Sequence, residues 1–138
     1  MLIPKKVKHR KWQKGRSKNR KVETRGIFLS FGTFGIQATS NAWIDSRQIE
    51  AARKAITHFT KKGGKIWIRI FPDKPVTKRP PETTLGGGKG AVDRYVFPVR
   101  TGRILFEVDG LDEALAREAL RRAGHKLPVK TRIVSNIR

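Results

Sequence analysis

The chain has 138 residues, of which 32 are Lys or Arg and 11 are Asp or Glu, giving a formal charge of +21 and a sequence pI near 11.5. Self-repulsion of that size opposes a compact state, so the composition predicts a polyanionic partner that neutralises it, nucleic acid first. With 37% hydrophobic residues the chain can bury one modest core; the absence of cysteine excludes disulfides and thiolate metal sites, and no apolar run reaches the roughly 18 residues of a bilayer span.

Residues 1–25 carry eleven cations, Lys5, Lys6, Lys8, Arg10, Lys11, Lys14, Arg16, Lys18, Arg20, Lys21 and Arg25, against one acid, Glu23. The apolar residues among them follow neither a 3.6 nor a 2.0 period, so this stretch predicts a basic arm that orders on phosphate, with Trp12 interleaved. It has no apolar core of a secretory signal and is Lys-dominated, which suits a mature arm better than a transit peptide. Residues 27–39 are rich in aromatic and β-branched side chains and predict a strand, with Gly32 and Gly35 marking a bulge or a close backbone approach. Asp45 then offers a helix N-cap with Gln48 as its capping-box partner, and Ile44 and Ile49 stand at the hydrophobic-staple positions. That helix runs to about residue 62 and stops at Gly63-Gly64. It places Ile49, Ala52, Ile56 and Phe59 on one face and Arg47, Lys54, His58 and Lys61 on the other.

Alternation over 65–71 predicts a strand, with Ile66, Ile68 and Ile70 on one face and Trp67 and Phe71 on the other as second-face core. Pro72, Pro75, Pro80 and Pro81 predict an irregular loop over 72–91, long enough to read as functional. Residues 92–99 and 103–109 predict a hairpin turning at Arg100-Thr101-Gly102, with Pro98 at an edge or bulge position. A second helix over 112–123 opens on Asp112 and Glu113, ends on Arg121 and Arg122 and closes at Gly124, in the sense that suits the helix dipole; a last strand covers 126–134. Five acids fall between Glu107 and Glu118, a surface expected to face away from a polyanion. The pattern as a whole predicts an α+β fold, a mostly antiparallel sheet with two packed helices. It divides the chain into a basic arm over 1–25 and one domain over 26–138 that carries the loop 72–91.

The chemistry-bearing residues point to binding. His9, His58 and His125 are scattered, no metal-ligand spacing occurs, and no catalytic residue or cofactor site is nominated. Lys89 in G-G-G-K-G fails the nucleotide-binding pattern because Thr83 stands where the first glycine belongs and Gly90 follows the lysine. Gly86, Gly87, Gly88 and Gly90 instead allow backbone N–H groups to approach an anion with Lys89 as point charge, and Lys74, Lys78 and Arg79 add to the field. No DNA-reading module appears, and charge spread over an arm, a helix face and a loop suits folded RNA recognised through shape and phosphates.

These residues resemble the bacterial large-subunit ribosomal protein numbered sixteen, part of a universal ribosomal family. The resemblance rests on M-L-I-P-K-K-V-K-H-R-K over 1–11, F-G-T-F-G over 31–35, R-Q-I-E-A-A-R-K-A-I over 47–56 and G-K-I-W-I-R-I-F-P-D-K-P over 64–75. It continues through G-G-G-K-G over 86–90 and G-H-K-L-P over 124–128. It implies a non-enzymatic constituent of the large subunit, on the cytoplasmic ribosome. Such a protein binds large-subunit rRNA, neighbouring ribosomal proteins and tRNA in the aminoacyl and peptidyl sites, with the Gly-Lys loop toward the peptidyl-transferase centre. Members commonly read Arg-Met-Gly entering that loop, whereas Thr84-Leu85-Gly86 stands here, so backbone and Lys89 contacts carry over and an arginine-specific tRNA contact does not. The alternative from another class is a free nucleic-acid chaperone using the same charge without a fixed address.

Overall fold

A computed structural model describes residues 1–15, 21–60, 63–82 and 86–136. These form an α+β architecture in the order β1 (Phe34–Ala38), β2 (Ala42–Asp45), α1 (Ser46–Thr60), β3 (Lys65–Ile68), β4 (Lys74–Lys78), β5 (Ala91–Val99), β6 (Ile104–Asp109), α2 (Glu113–Gly124) and β7 (Thr131–Ser135). The strands make two antiparallel sheets, one ordered β3-β6-β1-β7 and the other β2-β5-β4. α1 and α2 pack on each other; α2 lies against β1 and β7, and α1 against β2 and β3. Between these layers sit Phe34, Ile36, Ile49, Ile56, Phe106 and Leu120, all fully or almost fully buried, each large side chain contributing roughly 1.5–3 kcal/mol by leaving water.

α1 forms where its caps require it. The Gln48 N–H donates to Asp45 Oδ1 at 2.9 Å and the Asp45 N–H to Gln48 Oε1 at 3.1 Å, a reciprocal capping box, with Ile44 and Ile49 buried beside it. Ile49, Ala52 and Ile56 face the core with Phe59 half-buried, while Arg47, Lys54 and His58 are exposed; Thr60 is buried on the inner side, and residue 62 lies outside the described residues. α2 starts one residue later than expected, because Asp112 is its N-cap and accepts the Leu115 N–H.

Five expectations are corrected, the first being the strand expected over 65–71, which ends at Ile68. The strand expected over 27–39 is confined to β1, because the N–H groups of Ser30, Phe31 and Gly32 turn toward the Glu107 carboxylate and leave the ladder. The loop 72–91 contains β4, and Pro75 is tolerated there because β4 is an edge strand, paired with β5 on one side only. The turn at 100–103 forms, with the Arg103 N–H on the Arg100 carbonyl, yet it makes no hairpin: β5 belongs to one sheet and β6 to the other. Gly102, at φ +105°, donates to the Ala38 carbonyl and Ile104 to that of Gly26, which swings the chain across to β1. The last strand is β7, later than expected, with Leu127 and Val129 buried in the connection before it.

Two further details bear on the sheets. Pro98 pairs with Trp43 of β2 on one side only, since the β4 ladder ends at Val96, so it sits at a local edge. Gly32 and Gly35 are close approaches, as expected: a Cβ at Gly32 would lie 2.5 Å from the Val108 carbonyl oxygen, and one at Gly35 would lie 2.9 Å from that of Phe106.

Candidate nucleic-acid interface

The two basic segments read from the sequence meet on the three-stranded sheet. Between β4 and β5 the chain makes the glycine loop, in which Gly86, Gly87 and Gly88 have φ of +118°, +77° and +84°. A Cβ at any of the three would meet nothing within 4 Å, so glycine is required there by backbone conformation and not by crowding. Gly90 is the reverse case, held close to β4 so that a Cβ would lie 2.9 Å from the Lys78 carbonyl oxygen.

The arm crosses this loop and is clasped to it. Lys11 Nζ donates to the Lys89 carbonyl at 3.0 Å, and Lys89 Nζ donates in return to the Trp12 carbonyl. Lys74 Nζ reaches the Lys14 carbonyl at 2.5 Å and stands 4.5 Å from the centroid of the Trp43 ring, a cation–π contact. Arg79 donates to the Gly88 carbonyl at 2.9 Å. These cations hold neutral carbonyl oxygens, and a phosphate oxygen is the stronger acceptor, since hydrogen bonds with an ionised acceptor are roughly twice as strong.

The remaining sequence-nominated residues fall in separate places. Lys5, Lys6, Lys8, Arg10, Lys14 and Lys21 are exposed and Lys11 is half-buried, while Arg16, Lys18, Arg20 and Lys61 lie outside the described residues, as do Thr84 and Leu85. Arg47 and Lys78 share a broad groove of about 910 Å³ with Met1, Ile3 and Tyr95, so the helix face and the loop base adjoin the start of the arm. Lys54 is exposed on α1 but does not line that groove.

Three features escaped the sequence reading. Trp43 sits on β2, where no strand is predicted, and lends its ring to Lys74. Trp67 is half-buried and stacks on Phe31 at 5.9 Å with 18° between the rings, and Arg69 lies 5.3 Å from Phe31; Phe71 is 41% exposed, which corrects its assignment to second-face core. Glu107 is not part of an acidic surface at all. It is fully buried, accepting the N–H groups of Ser30, Phe31 and Gly32 at 2.9, 3.0 and 3.0 Å on Oε1 and pairing with Arg69 through Oε2. Burial pushes its carboxyl up, but the N–H groups of Gly32 and Phe31, the Arg69 guanidinium and the Ser30 N–H outweigh that and hold it below the usual carboxylate range.

The α2 carboxylates are spent on their own helix. Glu113 pairs with Arg117, and Glu118 with both Arg121 and Arg122, which lower its pKa to about 2. They stand beside the four-stranded sheet, while the clasp stands on the other one. Among the described residues no cluster of His, Asp and Glu could hold a metal ion, and no helix is long and apolar enough to cross a membrane.

A family described as Ribosomal protein L16p/L10e matches residues 4–134, a span that takes in the arm, both sheets, both helices and the glycine loop. The chain belongs to that family. As an L16p/L10e protein it is a structural constituent of the large ribosomal subunit, associated with ribosomal RNA and ribosomal proteins. The clasp then joins the two basic segments of an L16p/L10e protein.

Proposed function

We propose that this L16p/L10e protein is of the bacterial type and binds large-subunit rRNA through the arm cations and Trp12, with Arg47 and Lys54 extending the contact along α1 and Lys61 adding its charge. The Gly-Lys loop, with Lys74, Lys78, Arg79 and Lys89, faces tRNA in the aminoacyl and peptidyl sites near the peptidyl-transferase centre. The protein works on the cytoplasmic ribosome as an RNA-binding arm over 1–25 attached to one α+β domain over 26–138. Its contribution is positional, holding RNA while peptide-bond chemistry stays with the RNA.

The observation that carries this reading is the reciprocal pair of hydrogen bonds between Lys11, Lys89 and the Trp12 carbonyl, which makes one cationic surface of two segments far apart in sequence. Such a surface suits the irregular backbone of folded RNA, since phosphate contacts orient a protein without reading sequence. The loop glycines keep exposed backbone at the tip, where a sugar-phosphate strand can approach without meeting a Cβ.

Sedimentation of the tagged protein in native extract, before and after a high-salt wash with excess competitor RNA, tests the reading. Retention with large-subunit particles is expected. Release into free or heterogeneous nucleic-acid fractions would instead identify a nucleic-acid chaperone.

A further inference from the structure

Beneath the clasp lies a cavity of about 200 Å³, lined by Trp12, Trp43, Lys74, Thr77 and Lys89 among others, with no carboxylate in its wall. We infer that this cavity is a binding site for one unstacked nucleotide of RNA, its base held against the indoles and its phosphate by Lys74 and Lys89. The inference rests on the ribosomal reading for its source of RNA and goes beyond it in naming a base-sized site.

Size, chemistry and charge lead to that ligand. Pockets for drug-sized molecules run to roughly 300–1,000 Å³, so this one admits a single planar ring system and little more. Two indoles line it, and base-on-aromatic stacking is the means by which proteins hold single-stranded nucleotides without regard to sequence. Trp12 remains 41% exposed, open to an entering base, while Trp43 carries the Lys74 ammonium 4.5 Å from its ring centroid. The ammonium groups of Lys74 and Lys89 are at the same cavity, and each now donates to an arm carbonyl, of Lys14 and Trp12 respectively. An anionic phosphate oxygen is a better acceptor than either carbonyl, so nucleotide entry would exchange these bonds and loosen the arm from the loop. Inorganic phosphate would meet the lysines without engaging the indoles, and this difference makes the site testable.

The test follows the three indole N–H resonances of the full chain by nuclear magnetic resonance during titration with adenosine 5′-monophosphate, ribose 5-phosphate or inorganic phosphate. Saturable shifts of Trp12 and Trp43 with the nucleotide alone are expected, with Trp67 unmoved. Trp12→Ala, on the exposed arm, should weaken adenosine 5′-monophosphate binding about ten-fold. Equal shifts with ribose 5-phosphate or inorganic phosphate, or an undiminished affinity in Trp12→Ala, would overturn the site and leave a charge patch only. Particle sedimentation of the wild-type chain is scored separately, so loss of the ribosomal reading cannot be mistaken for loss of the pocket.

Discussion

Glu107→Gln isolates the charge that anchors the segment leading from the arm into β1. The side chain is fully buried and glutamine has nearly its volume, so packing is unchanged and the perturbation is electrostatic. Oε1 accepts three backbone N–H groups, and replacing a charged acceptor by a neutral one takes roughly 1 kcal/mol from each such bond. On the other side, an amide NH2 facing Arg69 would set donor against donor and leave a guanidinium that is only 17% exposed without its counter-charge. Removing one partner of such a pair costs about 3–5 kcal/mol, a figure that overlaps the lost bonds, so the expected total is about 4 kcal/mol. For a chain of this size that corresponds to a fall of roughly 10–15 °C in Tm. Urea unfolding followed by far-ultraviolet circular dichroism is the assay, and the midpoint should drop at unchanged slope. Combining Arg69→Met with Glu107→Gln should recover part of the loss by removing the orphaned cation. A single variant within about 1 kcal/mol of wild type would refute the claim that this buried pair organises residues 30–32.

The same carboxylates set an acid limit. Glu107 and Glu118 are both held below their usual value of 4.5, the latter at about 2, so their stabilisation is complete above that usual value and is lost as pH falls through the folded-state values. Thermal midpoints should therefore be level down to about pH 5 and decline below it, less steeply in Glu107→Gln; a flat profile to about pH 2 would contradict the assignment. Deleting residues 1–20 should flatten the salt dependence of RNA affinity by roughly 0.7–0.9 in log–log slope per lost phosphate contact, and an unchanged slope would mean that the arm makes none. Lys89→Ala should leave stability within about 0.5 kcal/mol, since the side chain is exposed, yet impair tRNA accommodation or late subunit maturation; normal behaviour in both would remove Lys89 from the interface. Gly32→Ala should destabilise by about 1–3 kcal/mol in urea titration, because the added carbon would lie 2.5 Å from backbone oxygen that cannot swing aside as a side chain could.

Local signals were legible wherever the partners are close in sequence. The Asp45–Gln48 box, the dipole-matched ends of α2 and the crowding at Gly32 and Gly35 could all be read directly, because each depends on a few neighbouring residues or on the lack of a side chain. Pairing was not legible in the same way. The turn at Arg100-Thr101-Gly102 looks the same from sequence whether the next strand folds back or crosses to another sheet, and what decides it is Ala38 and Gly26, over sixty residues upstream. Glu107 stood in an acid-rich stretch, and nothing local announced three backbone donors from residues 30–32. Half of the candidate interface was read, namely the arm and the loop. Their clasp was not, because the lysines donate to main-chain carbonyls, which every residue carries and no motif advertises.

The order of strands β3-β6-β1-β7 also governs when the protein can fold. β1 is the first strand to be synthesised, and both of its neighbours, β6 and β7, come from the last third of the described chain. As the chain is made, β1 therefore emerges and waits with both edges bare through the synthesis of α1 and the whole three-stranded sheet, an interval in which unpaired edges invite association with other chains. The smaller sheet can close first, since β2, β4 and β5 are all complete by Val99. A copy that stops short of residue 131 would carry the loop and the sheet beneath it on a body whose first strand still has an open side.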